Sequence, residues 1–137
     1  MIYAVIDTNV LVSALFTSNV EAATVKVFKA LLQKKIIPLY NEEIYDEYVD
    51  VLNRPKFHFP SSIVNRYLKV IRELGVKAER THQSIEDFPD LDDIVFYEVA
   101  MSKEDAYLVT GNTKHFPKSP IVVTPAEMMQ IILDQNE

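Results

Sequence analysis

The chain has 137 residues, 48% of them hydrophobic, a formal net charge of −6 and no cysteine. That length suits one domain, residues 1–137, with an apolar core large enough to stand without staples. The lack of cysteine excludes a disulfide framework and any thiolate zinc site, so carboxylate and imidazole remain as the strong metal ligands, and the acidic balance argues against a nonspecific binder with a broad basic face.

The first sixteen residues, MIYAVIDTNVLVSALF, have no positively charged lead, and Asp7 and Asn9 interrupt the apolar stretch. The segment therefore reads as neither a signal peptide nor a membrane span, and a soluble, cytoplasmic protein without a membrane partner is expected. Ile2 to Ile6 is a β-branched apolar run that predicts a strand. After the polar Asp7-Thr8-Asn9, the residues Val10, Leu11, Ala14 and Leu15 recur at helical spacing. A second helix is expected from about Asn19, with Val20, Thr24, Val27, Phe28 and Leu31 on one face, ending at the basic Gln33-Lys34-Lys35.

Ile36 to Tyr40 predicts the next strand, and Asn41 the N-cap of a helix whose apolar arc is Ile44, Tyr45, Tyr48, Val51 and Leu52. Arg54-Pro55 stops that helix. Pro60-Ser61-Ser62 opens another, through Ile63, Tyr67, Val70, Ile71 and Leu74, and Gly75 closes it. A weak strand is expected at Val76 to Arg80. The polar, acidic stretch from Thr81 to Leu91 reads as a loop that brings Asp90, Asp92 and Asp93 to the start of a helix, Ile94 to Met101, apolar almost all round. Ala106 to Thr110 predicts a strand, Gly111-Asn112 a turn, Ile121 to Thr124 a further strand, and Pro125 the first residue of a last helix reaching about Leu133.

Strand and helix alternate throughout, which predicts a three-layer α/β/α fold around a central, mainly parallel sheet with ligands gathered at the carboxyl ends of its strands. Acids and amides stand at those ends. One strand runs into Asp7, another ends just before the helix carrying Glu47, and a third runs into Asn112. Asp92 and Asp93 stand at a helix N-terminus, where backbone N–H groups favour anions. Converging carboxylates repel one another unless a divalent cation relieves them, and Mg²⁺ takes a few carboxylates while keeping several waters. A pair of such ions roughly 3.5–4 Å apart is suited to in-line displacement at a phosphodiester.

The blocks DTNVLVSALF, NEEIYDEYVDVLNRPKF, DFPDLDDIVFYEVA and YLVTGNTKHFP, in that order, resemble the blocks of PIN-domain proteins, and the resemblance covers nearly the whole chain. It is nearest to the toxin components of toxin–antitoxin pairs, the VapC-like ribonucleases. The resemblance implies a PIN-like fold and a Mg²⁺- or Mn²⁺-dependent nuclease acting on single-stranded RNA, with a small antitoxin protein and a homodimer as partners. It also implies catalytic roles for Asp7, Glu47, Asp93 and Asn112, metal binding by Asp7, Glu47 and Asp93 with Asp92 as helper, and support from Thr8, Asn9 and Thr110. Asn112 stands where the family often has a fourth acid, and an amide there brings no charge to a second metal site.

Plainer readings stand beside these. Asp7 can serve as a helix cap, Asp92 and Asp93 as a cap and a solvated first-turn acid, and Asn112 as a turn residue. Glu47 borders the apolar arc beside Val51, but Glu43 lies on the same border one turn earlier, and only the family spacing chooses between them. His58, His82 and His115 have no ligand spacing and are assigned no chemistry. Among the scattered cations, Lys34, Lys35, Arg54, Lys56, Lys114 and Lys118, the candidate phosphate contact is Lys114, close to Asn112. The chain has only two glycines, Gly75 and Gly111, so no phosphate-binding glycine loop is present. The rival function is a PIN domain whose acid cluster, weakened at Asn112, binds RNA or protein without cutting.

Overall fold

A computed structural model of the chain describes residues 1–80 and 93–135. The expected loop with Asp90 and Asp92 lies outside the described residues. Among the described residues there are five strands, β1 (Ile2–Ile6), β2 (Ile36–Tyr40), β3 (Val76–Lys77), β4 (Tyr107–Val109) and β5 (Val122–Val123). They form one all-parallel sheet in the order β3-β2-β1-β4-β5. The helices are α1 (Thr8–Phe16), α2 (Ala23–Leu32), α3 (Glu42–Leu52), α4 (Ser61–Leu74), α5 (Ile94–Met101) and α6 (Pro125–Gln135). The result is the three-layer α/β/α architecture that alternation of strand and helix dictates, because each parallel crossover lays a helix on a sheet face.

β1 is the central strand, and Ala4, Val5 and Ile6 are completely buried, as a strand covered on both faces requires. α5 packs across β1, β2 and β4 and also touches α3, while α2 packs on β2 and against α1 and α6. Val95 to Ala100 of α5 are all buried, which accounts for its apolar circumference. Asn41 caps α3 as expected, its side-chain oxygen accepting from the Ile44 amide at 2.8 Å.

Several boundaries differ from those read off the sequence. α2 begins at Ala23, not near Asn19, because Asn19 closes a turn of its own: its side chain accepts from the Glu21 amide at 3.0 Å and its carbonyl from the Ala22 amide at 3.1 Å. Val20 is consequently exposed. On α4 the buried line is Val64, Leu68 and Ile71, so Ile63 turns to solvent and Tyr67 sits at the margin, stacked on Phe28 with centroids 3.8 Å apart. Packing of α4 against α2, α3 and β2 rotates its inner face by about one residue from the line expected. β3 is only two residues long, an edge strand held to β2 and prolonged by the Ala78 amide donating to the Tyr40 carbonyl at 2.8 Å. β4 and β5 are likewise shorter than expected. Gly75 ends α4 by allowing close approach and not by a left-handed backbone: a Cβ there would lie 2.3 Å from the Ile71 carbonyl oxygen and 2.9 Å from that of Pro38.

Candidate active site

The register of the sheet sets the first contact of the site. Ile6 pairs with Val109, so the residues that follow, Asp7 and Thr110, leave β1 and β4 side by side. The Asp7 amide continues the ladder by donating to the Val109 carbonyl at 2.9 Å, and the Thr110 hydroxyl donates to the Asp7 carboxylate at 2.7 Å. Asp7 occupies the N-cap position of α1 without a side-chain capping bond of full geometry, and its carboxylate accepts instead from Thr110. Burial pushes the Asp7 carboxyl above its ordinary value; the Thr110 hydroxyl, the Asn9 and Thr8 amides and the nearby His115 oppose that shift without cancelling it.

Glu47 arrives from a different direction. α3 leaves the carboxyl end of β2, and Tyr48 anchors it by donating its hydroxyl to the Ile6 carbonyl at 2.5 Å. Tyr48 is fully buried, and burial, reinforced by the charges of Asp7 and Glu47, holds its phenol well above the ordinary value and therefore neutral, with its proton available to donate. With α3 so placed, the Glu47 carboxylate accepts a hydrogen bond from the Thr8 hydroxyl, the residue next to Asp7. Glu43, one turn earlier, goes elsewhere: it pairs with Arg80 at 3.1 Å. Arg80 also grips the buried Glu98 of α5 at 2.6 Å, so one guanidinium ties α3 to α5.

Asp93 immediately precedes α5 and is mostly buried. His115 lies between it and Asn112: its Nδ1 is 3.6 Å from the Asp93 carboxylate and its Nε2 is 2.9 Å from the Asn112 side-chain amide nitrogen. Sequence reasoning gave His115 no role, since ligand spacing was the signal sought. The short interval from Asn112 to His115, closed by a 3-10 turn over Thr113–His115, is what brings the two side chains together.

Asp7, Glu47 and Asp93 line a single cleft of about 270 Å³, shared with Thr8, Asn9, Val51, Arg54, Lys56 and Phe57. A different side chain stands against each carboxylate: the Thr110 hydroxyl bonds Asp7, the Thr8 hydroxyl bonds Glu47, and His115 lies 3.6 Å from Asp93. The cations in this lining are Arg54 and Lys56. Lys114, the phosphate contact expected from sequence, lines a separate cleft of about 450 Å³ together with Lys118. Asn112 is not in the lining of the acid cleft; it is tied to it through His115 and through its backbone amide, which donates to the Thr110 hydroxyl at 3.0 Å. Asp92 lies outside the described residues.

The donors are all hard oxygens, the chemistry that Mg²⁺ and Mn²⁺ prefer. Among the described residues no three acidic or histidine side chains are gathered closely enough to enclose an ion by themselves. The set therefore fits an ion that takes one or two carboxylates directly and reaches the rest through water, the usual habit of Mg²⁺. No helix among the described residues is long and apolar enough to cross a membrane.

No curated protein and no solved structure matches this chain. Residues 3–114 match the PIN domain family, a span running from β1 through the turn that carries Asn112 and Lys114. Fold and family match agree, and the chain belongs to the PIN domain family, whose members are generally nucleases.

Proposed function

We propose that the protein is a Mg²⁺- or Mn²⁺-dependent endoribonuclease that hydrolyses phosphodiesters of single-stranded RNA. The observation that carries this reading is the cleft in which Asp7, Glu47 and Asp93, delivered by β1, α3 and the start of α5, meet beside two cations. A divalent ion held there supplies a bound water of lowered pKa and positive charge for a phosphodiester. Asp7, Glu47 and Asp93 hold the ion, and Asp92 stands beside them in sequence as a helper. The Thr110 and Thr8 hydroxyls fix the orientation of Asp7 and Glu47. Asn9 lines the same cleft, and His115 links Asp93 to Asn112.

The sequence blocks support a narrower reading, a VapC-like toxin held in check by a small antitoxin protein, acting as a cytoplasmic homodimer. Asn112 favours a second reading, a PIN domain that binds without cutting, because the position brings an amide already engaged with His115 where a fourth carboxylate would strengthen metal binding.

The test is cleavage of a labelled single-stranded RNA by wild type and Asp7→Asn protein with Mn²⁺, Mg²⁺ or EDTA. Metal-dependent cutting lost in the variant is the expected result. No cutting by folded wild type with either metal, on several RNAs, would transfer the assignment to the binding module.

A further inference from the structure

The stretch from Arg54 to Phe59 leaves α3 and forms one wall of the acid cleft. Pro55 opens a 3-10 turn, Pro55–Phe57, and His58 then takes a left-handed conformation, φ 54° and ψ 30°, that is uncommon outside glycine. That reversal returns Phe59 against Phe57, with nearly parallel rings 5.2 Å apart, and Phe16 meets Phe59 edge-on at 6.3 Å. Phe57 is only half-buried and lines the cleft with the three acids, so a ring supported from behind stands beside the reacting centre. Arg54 and Lys56 flank it.

We propose that Arg54, Lys56 and Phe57 form the strand-binding subsite of the cleft, in which one unpaired nucleobase stacks on Phe57 while the adjoining phosphates pair with Arg54 and Lys56. This rests on the nuclease reading of the acid cleft. The charge pattern supports it: a polyanion approaching three carboxylates on a chain of net charge −6 needs local cations, and this wall provides them. Present contacts do not compete strongly. Arg54 is paired with Asp50 at 3.0 Å, but both side chains are largely exposed, and such a pair is worth less than about a 5-fold factor. The Lys56 ammonium lies 5.1 Å from the Phe57 centroid, an exposed cation–π contact of similar weight. A base stacked on an aromatic ring contributes roughly 5- to 150-fold, enough to displace Lys56 onto a phosphate. Stacking of this kind is sequence-tolerant and needs an unpaired base, so the subsite selects single strands over duplexes.

The experiment measures binding of a fluorescent single-stranded RNA by anisotropy, in Mg²⁺ and in the Asp7→Asn background so that no cutting intervenes. Phe57→Leu is expected to weaken binding by at least about 5-fold, Phe57→Trp to restore it, and Lys56→Gln to flatten the salt dependence. A duplex of the same sequence should bind more weakly than the single strand. A scan of single abasic positions separates stacking from packing: one position should weaken binding to the Phe57-containing protein and leave binding to the Leu variant unchanged. Unchanged affinity in Phe57→Leu, an equal loss at every abasic position in both proteins, or no binding of single strands at all would overturn the subsite. Because binding is read without catalysis, a protein that binds as described but never cuts would sink the nuclease reading and leave the subsite standing.

Discussion

The Thr110 hydroxyl donates to the Asp7 carboxylate at 2.7 Å across 103 residues of sequence, and the bond exists because β1 and β4 end on adjacent rungs of the parallel sheet. Replacing Thr110 with Val preserves shape and removes the donor. A hydrogen bond to a buried charged group is worth about 1.5–3 kcal/mol, so Thr110→Val should lower unfolding stability at neutral pH by about that amount. Denaturant titration checks it, and an unchanged midpoint would mean that water replaces the hydroxyl freely.

Asp7 gives a pH dependence of definite sign. Its folded-state pKa is raised above the ordinary value of 3.8, chiefly by burial, so the folded protein holds this proton more tightly than the unfolded chain. The Asp7 contribution is therefore favourable to folding only in acid: below 3.8 both states are protonated, and stability is lost as pH rises from there through the raised folded value. Metal-free Asp7→Asn protein should melt higher than wild type at pH 7, and the gap should close toward pH 4. Added Mg²⁺ should raise the wild-type melting temperature and leave the variant nearly unmoved. A variant that melts lower than wild type in EDTA would refute this.

Tyr48 holds α3 to the end of β1 through its 2.5 Å bond to the Ile6 carbonyl, so Tyr48→Phe removes the anchor next to Asp7. A loss of about 1 kcal/mol is expected in stability. Cleavage should also fall, with kcat affected more than KM, because the change loosens Glu47 and leaves the strand-binding wall in place. Equal effects on both constants would argue against a positioning role.

Arg80 bridges Glu43 of α3 and Glu98 of α5, the helices that carry Glu47 and follow Asp93. Arg80→Met should cost about 3 kcal/mol, the low end for a buried carboxylate losing its charge partner, since the Arg80 side chain is 36% exposed. Adding Glu98→Gln should recover part of that loss, and a double-mutant cycle measures the coupling. Strictly additive losses would show that the pair does not act as a unit.

Asn112→Asp restores a carboxylate at the turn after β4. It should tighten Mn²⁺ binding, read by calorimetry, and raise the cleavage rate. Asp7→Asn should lower that rate by more than the roughly 10–100-fold typical of losing a group that merely orients a metal ligand. If Asn112→Asp leaves both affinity and rate unchanged, the turn is too far from the ion to contribute.

The alternation of strand and helix, the Asn41 cap and the all-round apolar α5 could be read from sequence because each depends on local periodicity or on a side chain bonding its own backbone a few residues away. The placing of Asp7 and of the helix carrying Glu47 at strand ends followed from the same source, since a parallel sheet puts the carboxyl ends of its strands on one edge, but the choice of Glu47 over Glu43 came only from the family spacing. The start of α2 was misplaced because an asparagine turn at Asn19 and a helix cap have the same sequence signature. The face of α4 was missed because two apolar stripes compete there, and only its neighbours choose between them.

By itself, then, the sequence determined the order of elements and the strand ends at which polar groups collect, both short-range consequences of hydrophobic spacing and backbone chemistry. Tertiary structure alone decided what stands against each acid: the Thr8 hydroxyl bonds Glu47, the Thr110 hydroxyl bonds Asp7, and His115 lies 3.6 Å from Asp93. It also sent Glu43 to Arg80 and brought Arg54 and Lys56, not Lys114, to the acid cleft. Those choices depend on strand register and helix placement between segments as far apart as β1 and β4, and no local pattern records the distance between side chains that meet only after the sheet has closed.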